Sequence, residues 1–487
     1  MYYPALEEVK KLARDGNLVP VYREVVADLE TPVSAFLKVS RGGYSFLLES
    51  VEGGQRMARY SFIGTEPEKV IVSTGGDKTG PLKKVQDELS KYKQAPVFGL
   101  PLFTGGAVGY LAYETAGWFE DLPTPDKDPL GLPEAVFMLA NTMLVFDHVT
   151  HKVIIMSHAH IEDDVEAAYQ KAVERIDELA ERLKAPLPAQ EAAQTGKINR
   201  NIQSNYSRGG FEADVSKVKQ YITEGEAIQV VLSQRLTVPT TARPFDIYRA
   251  LRSINPSPYM FFLQLGDFHI LGASPEILVR VEGDAVMTRP LAGTRPRGTD
   301  EVEDRALAQE LLLDEKERAE HIMLVDLGRN DIGRISQAGS VEVSDLMEIE
   351  RYSHVMHMVT HVQGTLKEGC TAFDALKACF PAGTVSGAPK IRAMQIIAEL
   401  EPDKRGPYAG AVGYFSHNGN MDMAIAIRTM IMKGSEAFVQ AGCGIVYDSV
   451  PEREYQETLN KAKALLKAIE QAEETTARRT EHAGIDR

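Results

Sequence analysis

Cysteine is scarce: three in 487 residues, Cys370, Cys379 and Cys443. Their spacing matches no metal site, and an odd count offers no disulfide framework, so they read as small buried hydrophobes. Basic charge is also in deficit, with 54 Lys and Arg against 69 Asp and Glu, a net charge of −15. Nucleic acid and anionic membranes are therefore not expected as general partners. An anionic ligand would need local arginines or a bound cation. No apolar run reaches the ~18 residues of a membrane span. MYYPALEEVKK lacks the basic-then-apolar order of a secretion signal, and the expected location is the cytoplasm.

With 44% hydrophobic and 25% charged residues, the chain has the composition of an ordinary globular protein with a sizeable core. ALEEVKKLARDG predicts a first helix stopped by Gly16, and VPVYREVVA, YSFLLESV, RYSFIG and KVIVST predict strands. Apolar residues recur at helical spacing from Ile161 to Leu183. KAPLPAQEAAQTGKINRNIQSNYSRGG then has no periodicity and reads as a linker. The expected division is an N-terminal domain 1–190, a linker 191–210, a C-terminal domain 211–472 and a frayed tail 473–487. FEADVSKVKQYI opens the second half with Phe211, Val215, Val218 and Ile222 on one helical face. Short strands without a βαβ rhythm point to antiparallel sheets with helices outside, an α+β fold. GGAVGY (105–110) returns as AGAVGY (409–414), which reads as two similar strands rather than a repeat.

Two helical segments carry Glu-x-x-Glu: Glu317 with Glu320, and Glu454 with Glu457. Such pairs usually face solvent. Here each adjoins apolar residues that need burial, and like charges on a half-buried face call for a cation. Mg²⁺ suits one carboxylate from each helix, completed by water and an anionic ligand. His354, His357 and His361 lack the glutamate of H-E-x-x-H, so a strand or helix edge with one catalytic histidine is a better reading than zinc. PLAGTRPRG (290–298) reads as a glycine-bracketed loop around a small anion, with Thr294, Arg295 and Arg297 at hand. In FPAGTVSGAPK, the amides and Thr384 could cradle a carboxylate at a helix start. QAGCGIV either turns backbone amides to a ligand or forms a tight strand bulge. Arg428, inside the apolar AIAIRTMIM, needs an anionic partner, because an unpaired buried charge is costly. These residues point to a magnesium-assisted enzyme for a small, multiply carboxylated substrate.

The same segments closely resemble the chorismate-utilising enzymes, and within them the large subunits (component I) of anthranilate synthases. The resemblance rests on GASPE (272–276), PLAGTRPRG, EHIMLVDLGRND (320–331), YSHVMH (352–357), AGTVSGAPK (382–390), AIAIRT (424–429) and QAGCGIVYDSVPEREYQETLNKA (440–462), in family order. RGGYSFLLES and RYSFIG extend it over nearly the whole chain. It implies an antiparallel β-sandwich with helices outside and two intertwined domains, the N-terminal one regulatory and the C-terminal one catalytic. It further implies Mg²⁺ on Glu320 and Glu457, supported by Glu317 and Glu454. The chorismate carboxylates would lie on Gly293, Thr294, Tyr408, Arg428 and the amides of Gly442, Cys443 and Gly444. Glu276 resembles the acid that protonates the departing ring hydroxyl, and His357 and Thr384 would lie near the enolpyruvyl group.

Relatives that use water carry a lysine base where this chain has Gln229, which suits ammonia as nucleophile. Aminodeoxychorismate synthases of the lysine-bearing type have that lysine where this chain has Ala292, so the resemblance favours anthranilate over the aminodeoxychorismate alternative. No glutamine-hydrolysing motif is recognisable; the resemblance implies a separate glutamine amidotransferase subunit (component II) in a hetero-oligomer. Ser50, Pro258, Tyr259 and Met260 match a tryptophan feedback site.

Overall fold

The computed structural model describes residues 1–26, 29–51, 59–188, 201–352 and 355–485, with side chains in the last helix described as far as 476. Most of the expected linker (191–200) and His354 lie outside the described residues.

Two antiparallel sheets make the framework. The larger runs Leu18–Val26, Lys152–His160, Thr142–Asp147, Tyr60–Thr65, Tyr44–Glu49, Tyr259–Leu265, Phe268–Ser274, Thr429–Lys433, Glu436–Ile445, Gln229–Pro239 and Gly387–Ala388, with Gln203–Ser204 on the flank of Gln229–Pro239. The smaller runs Leu291–Pro296, Val355–Thr365, Ala285–Thr288, Ile277–Glu282, Met421–Ile425, Ala411–Ser416, Gly106–Leu111, Ala135–Ala140 and Lys69–Ser73, with Glu342–Arg351 beside Val355–Thr365. Each sheet therefore joins strands from both halves of the chain. The near-identical GGAVGY and AGAVGY segments meet there as neighbours, with Gly109 opposite Gly413.

One apolar cluster, including Phe46, Tyr110, Met138, Met156, Phe261 and Val412, draws on both sheets and fills the space between them. A second packs the outer face of the larger sheet under helices Pro32–Val39, Val165–Lys184, Pro244–Ile254 and the middle of Pro451–Ile485. A third packs the smaller sheet under Pro81–Leu89, Glu315–Ile335 and Ala372–Cys379. Helices thus lie outside a β-sandwich, as the short antiparallel strands require.

Three boundaries differ from expectation. Gln203–Ser204 pairs with Leu236 and Thr237, and the next helix starts at Arg208, where the Ser207 hydroxyl accepts from Gly210 N, so the end of the expected linker is structured. The last helix continues through the expected tail to Ile485. EETTARR has high helix propensity and simply extends a helix already nucleated by packing. PLAGTRPRG is no free loop: Leu291–Pro296 is an edge strand on Val355–Thr365, with a register shift between Ala292 and Arg295.

Candidate active site

The chain passes between the sheets at two adjacent points. Between Phe268–Ser274 and Ile277–Glu282 stands Glu276; between Met421–Ile425 and Thr429–Lys433 stands Arg428. The crossings are laced together, Ile425 N donating to Glu276 O (3.0 Å) and Ala273 N to Arg428 O (3.1 Å). Residues at a crossing are released from the in–out alternation of a strand, so a polar side chain can enter the cleft between elements.

Glu276 is 6% exposed. Burial pushes its carboxyl from the ordinary 4.5 up to about 8, with the Thr384 hydroxyl and Lys461 offsetting part of the rise. At neutral pH it is therefore a neutral acid with a proton to give. Its backbone is fixed by Ser274, whose hydroxyl contacts both Glu276 N and O at 3.3 Å. Thr384 lies beside the carboxyl without full hydrogen-bond geometry, and its buried Oγ1 has no partner among the described residues.

Arg428 is a partly buried cation whose NH1 donates to the Lys461 carbonyl (2.6 Å). Burial lowers its pKa, partly offset by Tyr408 and Glu457. Its backbone adopts φ 50°, a strained left-handed conformation for a non-glycine residue. A desolvated guanidinium on a strained backbone, with a carbonyl as its hydrogen-bond acceptor, is a receptor for an anion.

Gly442 and Gly444 lie in Glu436–Ile445, which pairs with Gln229–Pro239 in unbroken register, so QAGCGIV holds no bulge. A Cβ on Gly442 would stand 2.8 Å from the Tyr408 hydroxyl, and one on Gly444 2.5 Å from Gln229 Nε2. Only bare backbone lets those two side chains approach. Cys443 points to the other face, fully buried among Val230, Leu232, Ala393 and Ile396, so its side chain serves packing. Lys461, which sequence reasoning passed over, donates from Nζ to Gly442 O (2.9 Å) and pairs with Glu457 (2.7 Å). The i, i+4 spacing from Glu457 was the available signal.

The two Glu-x-x-Glu pairs occupy helices Glu315–Ile335 and Pro451–Ile485. Glu320 is raised by burial and further by Glu317 and Glu457, against Gln229 and Lys461, so carboxylates of both helices lie in one electrostatic neighbourhood. Gln229 Nε2 donates to Glu320 Oε1 (3.2 Å). Glu454 is raised by burial and by Glu457. Among the described residues no three His, Cys, Asp or Glu side chains close on a metal. An open pair of carboxylates fits Mg²⁺, which leaves most of its shell to water and anionic ligands, and does not fit zinc.

At the edge strand, the His357 Nδ1 proton goes to Gly293 O (2.8 Å), with Thr294 Oγ1 3.1 Å away, leaving Nε2 as the acceptor nitrogen. Burial lowers the imidazole pKa, so the ring is neutral. Arg295 and Arg297, expected near an anion, are engaged elsewhere. Arg295 pairs with Glu310, Asp314 and Glu317, and Arg297 with Asp304 and the Tyr352 carbonyl. They clamp the strand to the helices behind it. In FPAGTVSGAPK, a single turn Gly383–Ser386 carries Thr384, and Gly387–Ala388 pairs with Val230 and Gln229.

A charged hub supports these segments. The Arg405 side chain, 1% exposed, binds both oxygens of Glu401 and donates to Val385 O and Val231 O, each at 2.7 Å. Glu401 also accepts from Ser233 N and Oγ, directly opposite Gly442. Breaking a buried pair from one side leaves a stranded charge. Arg405→Met is thus expected to cost ~3–5 kcal/mol in urea unfolding, and Glu401→Gln in the same chain to restore part of it.

A separate cavity of about 290 Å³ lies between the sheets and holds Ser50, Pro258, Tyr259 and Met260 together. Its polar floor is Tyr259, whose hydroxyl donates to Asp422 (3.1 Å), and Arg280, which donates to Asp422 (2.7 Å). PYMFF is therefore both a buried strand and a cavity wall.

Residues 43–467, which carry this cleft, match the family of chorismate binding enzymes, and the chain belongs to it. Along its whole length it is similar to anthranilate synthase component 1 of Acetivibrio thermocellus, 52% identical over 97% of this chain and all of that one, and to that of Aquifex aeolicus, 47% identical over 97% and 98%. The crystal structure of anthranilate synthase component I from Streptococcus pneumoniae is 41% identical and superposes with a TM-score of 0.77 over 91% of this chain and 99% of that one. The isochorismate synthase MenF of Escherichia coli, 21% identical with a TM-score of 0.71, shares the fold.

Proposed function

We propose that this chain is the large component of an anthranilate synthase: it aminates chorismate with ammonia and eliminates pyruvate to give anthranilate, the first committed step of tryptophan biosynthesis. The observation that carries the reading is the pairing of a buried, neutral Glu276 with a partly buried, cationic Arg428 at adjacent sheet crossings. An acid that keeps its proton and a receptor that demands an anion are what departure of a hydroxyl from a carboxylated ring requires.

Arg428, Tyr408 and the bare amides around Gly442 and Gly444 hold carboxylates, with Gly293 and Thr294 closing the far side. Glu276 delivers its proton to the leaving hydroxyl oxygen. Gln229, an amide where water-using relatives keep a base, cannot deprotonate water and suits ammonia, which needs no base. Ala292 offers no amine to attack the ring, which supports direct amination. Neutral His357 and Thr384 face the side chain lost as pyruvate. Glu320 and Glu457, backed by Glu317 and Glu454, would hold Mg²⁺, which neutralises charge on the ring carboxylate. Ammonia would come from glutamine through a separate amidotransferase, component II, in a hetero-oligomer. Among the described residues no helix is long and apolar enough to cross a membrane, in keeping with a cytoplasmic enzyme.

The test is a fluorescence assay of purified chain with chorismate, Mg²⁺ and an ammonium salt. Anthranilate is the expected product, lost when Mg²⁺ is chelated and regained on its return. An aminated, non-aromatic product would assign the chain to aminodeoxychorismate synthesis instead.

We further propose that the cavity of Ser50, Pro258, Tyr259 and Met260 binds tryptophan as inhibitor. Ser50→Phe puts an aromatic ring into that space. It is expected to raise the half-inhibiting tryptophan concentration by about ten-fold or more, a loss of ~1.4 kcal/mol. Unchanged inhibition would place the effector elsewhere.

A further inference from the structure

A small cavity joins Glu276 and Thr384 to Asp331, a buried carboxyl with no role in the amination itself. It holds about 40 Å³, with apolar walls that include Leu278, Leu324, Leu327 and Gly328. It shares Glu276 and Thr384 with the substrate site, but Gln229, Glu320, Tyr408 and Arg428 do not line it, so it leads away from the anion receptor. Its polar groups are Glu276, Thr384, Thr288 and Asp331. The Thr288 hydroxyl donates to Leu278 O (2.9 Å), whereas the buried Thr384 Oγ1 has no partner among the described residues. A water needs ~10–15 Å³ to enter a cavity and two or more polar contacts to stay, and this space offers both.

Asp331 is bound by Lys390 Nζ (2.7 Å), which also donates to Cys379 O (3.1 Å). Arg334, whose side chain is 55% exposed, lies within electrostatic reach of Asp331. No hydrogen bond joins Asp331 to Glu276 among the described residues. Charges bearing on this path are therefore Lys461 near Glu276, and Lys390 and Arg334 near Asp331.

The chemistry demands such a path. As ammonia forms its C–N bond and the C–O bond breaks, the Glu276 proton leaves with the hydroxyl as water. The new ammonium nitrogen sheds a proton on the amination side, and the ring C–H proton is balanced by the one that pyruvate's methyl group takes up. Chorismate and ammonia thus become anthranilate, pyruvate and water with no net proton, yet Glu276 ends each cycle ionised and buried. We propose that the cavity holds a short file of ordered water through which Asp331, recharged from solvent by the proton that the amination side gives up, returns a proton to Glu276 after every turnover. The proposal rests on Glu276 being the acid.

The two claims separate experimentally. With ammonium as nitrogen source, single-turnover rates (enzyme in excess) are compared with steady-state rates in Asp331→Asn, which removes the donor, and Leu327→Phe, which fills the cavity. The first turnover starts from protonated Glu276, so its rate should stay within about two-fold of the parent, while the steady-state rate falls by about ten-fold or more. Formic acid, small enough to reach a buried carboxylate, should restore part of it. Equal losses in both rates would mark a structural role and overturn the proposal, as would an unchanged steady state. If Asp331→Asn does not fold, Leu327→Phe carries the comparison. Glu276→Gln that keeps its first-turnover rate would sink the acid assignment itself.

Discussion

Replacing Arg428 with glutamine is expected to lower kcat/KM for chorismate by about 10²–10³-fold, the loss of a charge-assisted contact to a carboxylate. The same change should leave the folded chain as stable as before, or more stable. The guanidinium is desolvated, while glutamine leaves the left-handed backbone of φ 50° as it was. Removing the charge sheds a cost that folding alone does not require. Activity and stability moving in opposite directions is the signature of a group kept for its ligand. A variant that loses both together would make Arg428 a structural ion. Kinetics with thermal unfolding of the same preparation decide between them.

Glu276→Gln is expected to cost ~10²–10⁴-fold in kcat, the usual worth of a positioned proton donor. The parent enzyme should lose activity as pH rises through about 8, where Glu276 ionises, at constant free ammonia. The sign for stability follows from the same raised pKa. Because the folded chain holds this proton more tightly than the unfolded one, the contribution is fully present below the ordinary 4.5. It shrinks as pH rises and is lost through about 8. Glu114 behaves alike on a smaller scale: burial raises it to about 7, against backbone donors from Arg405 and Gly406. Glu276→Gln should therefore flatten the fall in stability between pH 5 and 8. Urea titrations across that range read the change. An equally steep fall in the variant would mean that Glu276 ionises normally in the folded chain.

Sheet class and helix placement were legible because period-2 and period-3.6 patterns alternate clearly along the chain. The pairing of strands from the two halves was not, since register depends on partners hundreds of residues apart. Arg428 announced itself as a lone charge in an apolar strand, and the Glu-x-x-Glu pairs as like charges beside buried residues. Arg295 and Arg297 look equally suited to an anion, yet the acidic residues of the two helices behind them, Asp304, Glu310, Asp314 and Glu317, claim them first. Arg405 sits in the polar turn EPDKRGPY, where nothing local distinguishes a buried hub from a solvated surface charge. Cys443, read in the sequence as part of a ligand-facing motif, packs its side chain in the core.

Glu276 stays protonated at neutral pH because it is buried beside the anion receptor. Infrared difference spectra between the parent chain and Glu276→Gln test it most directly. A protonated carboxyl C=O band present in the parent at pH 7, absent from the variant and bleaching near pH 8, is the predicted result. Carboxylate bands in its place, titrating near the ordinary 4.5, would contradict the account.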